Sequence, residues 1–126
     1  MALREDFHTV TPYLTTKDVN GLVDFTKRAF GAVETIRVEM GPGHFHTEVR
    51  IGDSMVMIGG GPDAKPVTGM LYLSVEDVDA AFKRAIVSGA SPVQQPNDAP
   101  DGVRRGGVSD AFGNLWYFGG PKAQKT

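Results

Sequence analysis

The chain contains no cysteine. That excludes a disulfide framework and any thiolate nucleophile or thiolate metal site, and it suits a reducing cytosol. Charge of one sign is lacking too: 13 Lys and Arg against 15 Asp and Glu leave a formal −2 over 126 residues. So even a balance offers no basic footprint for nucleic acid and no polybasic stripe for a membrane surface. No apolar run reaches membrane-spanning length. Met1-Ala2-Leu3-Arg4-Glu5-Asp6 places charges where a secretory leader needs an apolar stretch. These absences lead to the expectation of a cytoplasmic globular protein with no nucleic-acid or membrane partner. The length fits a single domain, 1–126.

Glycine and proline, by contrast, are plentiful. Sixteen Gly and eight Pro punctuate the chain and favour short strands joined by turns. The chain also repeats itself. Tyr13-Leu14-Thr15-Thr16-Lys17-Asp18-Val19 recurs as Tyr72-Leu73-Ser74-Val75-Glu76-Asp77-Val78. A helical stretch follows each copy and ends at Gly31-Ala32 or Gly89-Ala90. Each half then closes on an apolar strand before a glycine pair: Met55–Ile58 before Gly59-Gly60, and Leu115–Phe118 before Gly119-Gly120. Order and spacing are kept, as in a duplicated module, with halves at about 9–61 and 69–120.

Within a half, Thr11–Thr15 alternates like a strand. Asp18 and Asp77 are placed to cap helix N-termini. Leu22, Phe25, Ala29 and Phe30 recur at helical spacing, as do Val78, Ala81, Phe82, Ala85 and Ile86. Gly31 and Gly89 stand where left-handed C-caps would end the helices. Strands are expected at Thr35–Met40, Phe45–Ile51 and Met55–Ile58, with Gly52-Asp53 as a hairpin turn. The second half repeats this with weaker strands around Pro92–Gln95 and Arg105–Ser109, and Asn97–Gly102 reads as turn chemistry. The expected fold is α+β, two tandem β-α-β-β-β modules.

Several segments together carry a family resemblance. They are Thr11–Leu14 leading to Phe25–Ala32, His46–Ser54, Leu73–Asp79 and Asp110–Trp116. As a set they resemble the vicinal-oxygen-chelate superfamily, that of glyoxalase, bleomycin resistance protein and dioxygenases. Thr26 and Ala111 depart from the aromatic and the proline common at those places. The resemblance implies eight strands curled into a ligand-holding cup, often completed by a homodimer. In metal-dependent members four strand positions converge on a divalent ion through His, Glu or Gln. The match puts Thr11, Met57, Met70 and Tyr117 there, and a thioether is a poor partner for hard or borderline cations. No metal and no cofactor is therefore expected at that place.

Strand alternation divides the remaining residues. Leu14, Val49, Ile51, Val56, Ile58, Leu71, Leu73, Trp116 and Phe118 should face the helices. Thr11, Tyr13, His46, Glu48, Arg50, Met55, Met57, Met70, Tyr72, Leu115 and Tyr117 should line the other face. A thioether- and aromatic-rich lining suits a flat organic ligand. It would equally plug a small barrel.

Gly43-His44-Phe45-His46-Thr47-Glu48 is the other stretch with chemistry in it. In a strand, His44, His46 and Glu48 share a face, with successive Cα atoms about 7 Å apart. The three could hold a divalent metal. Alternatively, His46 is a ligand donor or general base held by Glu48, or Glu48 simply pairs with His46 or Arg50. Arg104 and Arg105, expected in a loop, could fix an anionic ligand or pair with Asp98 or Asp101. Gly59-Gly60-Gly61 leads to Pro62 rather than a helix and is no phosphate loop.

Two functional expectations follow. One is a metal-free protein that binds a small aromatic or amphipathic molecule through Thr11, Tyr13, His46, Arg50, Met57, Met70, Tyr72, Arg104 and Tyr117, for sequestration or resistance. The other is a lyase, isomerase or dioxygenase of the same superfamily that uses His46 and Glu48 as catalytic residues, or an unrecognised metal.

Overall fold

A computed structural model describes residues 4–122. Two compact units divide between Thr68 and Gly69. The first comprises β1 (Tyr13–Thr16), α1 (Val19–Phe30), β2 (Val33–Gly41), β3 (His44–Ile51) and β4 (Ser54–Gly60). The second repeats the order as β5 (Met70–Ser74), α2 (Val78–Val87), β6 (Ser91–Asp98), β7 (Arg104–Ser109) and β8 (Leu115–Gly120). Each unit holds one mixed four-stranded sheet, β1-β4-β3-β2 and β5-β8-β7-β6. β1 runs parallel to β4 and β5 to β8, while the other pairs are antiparallel. The fold is α+β, and none of the described helices is long and apolar enough to cross a membrane.

Local chemistry explains the elements. Asp18 Oδ1 accepts from Gly21 N at 2.9 Å and Asp77 Oδ1 from Ala80 N at 3.0 Å, so both expected N-caps form. Gly31, at φ +69°, ends α1 in the left-handed conformation. The second helix ends differently: Ser88, at φ −83°, is the cap, and Gly89 at φ +115° lies beyond it. Ser88 Oγ donates to Arg84 O at 2.8 Å, which ties down that last turn by a side chain instead.

Leu22, Val23, Phe25 and Ala29 of α1 are buried, as are Leu14, Val49, Val56 and Ile58 of its sheet. In the second unit Val78 and Ala85 of α2 are buried, and so are Val108, Trp116 and Phe118. Ile51, Leu71 and Leu73 are only half-buried. Asp110 organises the β7–β8 turn: its carboxylate accepts from Phe112 N, Asn114 N, Asn114 Nδ2 and Trp116 Nε1, all at 2.8–2.9 Å.

Three of the boundaries that differ from expectation bear on the site. β1 begins at Tyr13, so Thr11 precedes the strand; the neighbouring Pro12 carbonyl accepts from Met57 N at 2.9 Å. β6 extends through Asn97 and Asp98, so the turn is confined to Ala99–Val103. Arg104 and Arg105 open β7 rather than sit in a loop, because pairing with Asp98 and Asn97 carries the ladder to them.

Candidate functional site

Residues paired across strands project from the same side of a sheet. In the first unit the face away from α1 therefore carries three rows. Ile36, Glu48, Met57 and Tyr13 form one, and Val38, His46, Gly59 and Thr15 the next. Val33, Arg50 and Met55 form the third. The second unit matches it row for row. Gln94, Gly107, Tyr117 and Tyr72 correspond to the first row, and Asn97, Arg105, Gly119 and Ser74 to the second. Ser91, Ser109, Leu115 and Met70 form the last.

Glycine makes room for the tyrosines. A Cβ on Gly59 would stand 2.6 Å from the Tyr13 oxygen, and one on Gly119 only 1.5 Å from that of Tyr72. Each tyrosine thus lies diagonally across a glycine toward the residue beyond, His46 in one unit and Arg105 in the other. The phenols stay half open, Tyr13 at 48% and Tyr72 at 53% exposure, and Met70 is more open still at 68%. Met55 and Glu48, by contrast, are buried on the same type of face. Part of the lining is packed and part is free.

Tyr13 Oη lies 3.0 Å from His46 Nδ1, and His46 Nε2 lies 2.8 Å from Glu48 Oε2. Arg4 then clamps the carboxylate with both guanidinium ends, at 2.8 and 2.6 Å. The Arg4 guanidinium, and to a lesser degree His46, hold Glu48 below the ordinary carboxylate range, against burial that pushes it up. An ionised carboxylate only accepts, so His46 Nε2 must carry the proton toward Glu48. In the neutral imidazole Nδ1 is then an acceptor, and the Tyr13 hydroxyl donates to it. Strand spacing alone offers Glu48 either His46 or Arg50 as a partner. The Arg4 clamp lies 44 residues away and leaves no local signal.

His44 does not join this group. Its Nδ1 is 3.0 Å from Pro42 O and its Nε2 contacts Asp63. The alternative in which His44, His46 and Glu48 together hold a divalent ion is not assembled, because the two imidazoles are committed to different partners. No cluster of three His, Cys, Asp or Glu suited to a metal occurs among the described residues.

Arg104 lies on a strand rather than in a loop, and its pairing with Asp98 is one of the two expected alternatives. It shares a strand face with buried Val108, on the helix side, where Asp79 of α2 (2.7 and 2.9 Å) and Asp98 (3.1 Å) hold it. Those carboxylates raise its pKa further. Arg105 is the arginine on the Tyr72 and Tyr117 face, paired with Asp101 at 2.8 Å and affected by Tyr72 as a smaller influence. Arg50 lies half-buried on the His46 and Glu48 face and carries no ion pair among the described residues.

Against this geometry stand the comparisons with known proteins. The family model for the Glyoxalase/Bleomycin resistance protein/Dioxygenase superfamily matches residues 7–118. The chain belongs to that superfamily. An uncharacterized protein of Mycobacterium bovis is 35% identical over 89% of this chain and 82% of its own length. TioX from Micromonospora sp. ML1 shares 28% identity and superposes with a TM-score of 0.76 over 89% of this chain and 97% of its own. A superfamily enzyme from Burkholderia phytofirmans matches in fold, with a TM-score of 0.71 at 17% identity over 86% of this chain and 94% of its own.

The superfamily's metal finds poor donors here. Met57 and Tyr117 occupy equivalent places in the two sheets, and Met70 stands with Leu115 and Ser109. Thioether, phenol and the Thr11 hydroxyl do not make an oxygen- or imidazole-rich set for a divalent ion. The residues do not fit that group.

Proposed function

We propose that this superfamily member binds a small aromatic or amphipathic molecule on the sheet faces turned away from its helices, as a metal-free sequestration or resistance protein. The observation that carries this is the pair of half-exposed tyrosines over glycine floors, Tyr13 on Gly59 and Tyr72 on Gly119, with Met70 open nearby on the second sheet. Contiguous exposed apolar surface rimmed by polar groups is a feature of ligand-binding faces, and thioethers and aromatic rings both complement flat ligands. Met57, Tyr117 and Tyr72 supply contact area; His46, Arg50 and Arg105 supply polar anchoring. Thermal-shift screening of flat aromatic compounds tests it, since a ligand that binds only the folded state raises the melting point. Failure of every such compound to raise it would remove the reading.

A second reading, an enzyme of lyase, isomerase or dioxygenase type, is favoured by one feature. The Glu48–His46–Tyr13 chain orients an imidazole as acid–base chemistry requires. The reading also treats the chain as one cytoplasmic domain of two modules that acts as a homodimer. β2 is an edge strand with Val33, Ile36, Val38 and Met40 exposed, and such an edge is ordinarily covered. Light scattering at twice the 13.5 kDa chain mass is expected. A concentration-independent monomer would count against pairing.

A further inference from the structure

Tyr13, His46 and Glu48 are arranged in series, and the direction of the series has a chemical consequence. Glu48, an acceptor, orients an Nε2 proton of His46 toward itself, and with that tautomer of the imidazole Nδ1 is the acceptor for the phenolic proton of Tyr13. That proton is committed inward. The Tyr13 oxygen therefore presents lone pairs, not a donor, to anything resting on its exposed side. The other contacts of His46 leave this unchanged. Its cross-strand neighbours are Val38 on β2 and Gly59 on β4, neither ionisable; among the described residues Glu48 and Arg4 are the charged groups hydrogen-bonded in the series, and Arg50, on the same face, makes no ion pair with Glu48.

We infer that the site on the first sheet selects a hydroxy-aromatic or enolic ligand and binds it as the anion, with the ligand's proton relayed through Tyr13 to His46. The inference rests on the binding function proposed above and specifies the ligand class. In the step, the ligand O–H bond breaks and its proton passes to the Tyr13 oxygen. The Tyr13 proton passes in concert to His46 Nδ1. The products are a phenolate or enolate beside an imidazolium whose Nε2–H remains on Glu48, and no electrons change owner. The imidazolium lies against Glu48 on one side and faces the ligand anion across the neutral Tyr13 hydroxyl on the other, while Arg4 offsets the Glu48 charge from the far side. In water the same proton transfer would leave an unpaired ion at each end; here both ions have partners already in place. The second sheet lacks this device. Its equivalent of His46 is Arg105, which cannot take up a proton.

The test uses 4-nitrophenol, whose phenol and phenolate absorb at different wavelengths, and 4-nitroanisole, which has the same ring but no proton to give. The proteins are wild type, Tyr13→Phe and His46→Gln, each checked for native melting first. Wild type should bind 4-nitrophenol and shift its spectrum toward phenolate at a pH where the free compound is mostly protonated. Tyr13→Phe and His46→Gln should both lose that spectral shift and weaken 4-nitrophenol roughly tenfold or more, the range expected for losing a hydrogen bond to a charged group. 4-Nitroanisole should bind all three proteins alike. If the phenolate signal persists in both variants, or wild type binds 4-nitrophenol only as the phenol, the relay is overturned while the aromatic site stands. If wild type binds neither compound, both readings fall together.

Discussion

At the scale of single residues, the Arg4–Glu48 pair shows how far the site depends on a distant partner. Glu48 is buried at 1% exposure, and its folded pKa is depressed chiefly by Arg4. A depressed carboxylate contributes stability that is present above its unfolded pKa of about 4.3 and is lost as pH falls through the folded value. Arg4→Ala should lower stability at neutral pH and flatten the acid limb of the stability profile, because the pKa moves back toward ordinary. Urea melts at neutral and acidic pH would show it; an unchanged acid limb would mean that Arg4 is not the cause. Gly59→Ala is the complementary change. The new methyl meets the Tyr13 hydroxyl at 2.6 Å, a flexible side-chain end, and the Phe45 carbonyl at 3.2 Å, so Tyr13 must swing off His46 while the β3 backbone gives by a few tenths of an ångström. The expected outcome is a folded protein whose tyrosine no longer hydrogen-bonds the imidazole, readable as an altered His46 ring signal in NMR.

At the scale of elements, the β2–β3 hairpin is pinned to the segment after β4 through His44. Both ring nitrogens face acceptors, Pro42 O and the Asp63 carboxylate, so both must donate and the ring is an imidazolium in this arrangement. Asp63, and after it Pro42 O, raise its pKa above the ordinary value. A raised histidine contributes stability that is complete below its unfolded pKa of about 6.5 and disappears as pH rises through the folded one. Asp63→Asn should weaken that alkaline loss, which melting curves taken across the neutral range would reveal. The β7–β8 turn rests on Asp110 instead. Asp110→Ala would remove the carboxylate to which Asn114 Nδ2 and Trp116 Nε1 donate, both in buried residues, and should cost on the order of 3 kcal/mol. A variant as stable as wild type in denaturant would contradict that accounting.

At the scale of the whole molecule, the duplicated plan holds row by row while the chemistry of the two sheets has diverged. His46 answers to Arg105, Glu48 to Gly107 and Met57 to Tyr117. Divergence of this kind retains a scaffold and changes what it recognises. Met57→Leu nearly conserves volume and should cost less than about 1.5 kcal/mol, so any larger fall in aromatic binding would report contact rather than misfolding. Calorimetric binding beside thermal melts separates the two effects.

The sequence by itself determined the duplication, the two N-caps at Asp18 and Asp77, the family, and which side of β3 and β4 carries His46, Glu48 and Met57. These are local properties: capping needs only neighbouring backbone, and alternation needs only a strand of known start. Where the start was displaced, alternation failed. Arg104 and Arg105 looked like loop residues because nothing local shows that β6 continues through Asn97 and Asp98 to pair with them. Tertiary structure alone decided that Arg104 turns to Asp79 and Arg105 to the tyrosines. It also decided that Ile36 and Val38 join the His46 face, since the register shifts between Glu34 and Ile36 on β2. The Arg4 clamp on Glu48, the separation of His44 from His46, and the fit of each tyrosine over its glycine were settled the same way. Each is a contact between segments remote in the chain, fixed only when strand register and backbone approach bring them within a hydrogen bond of one another.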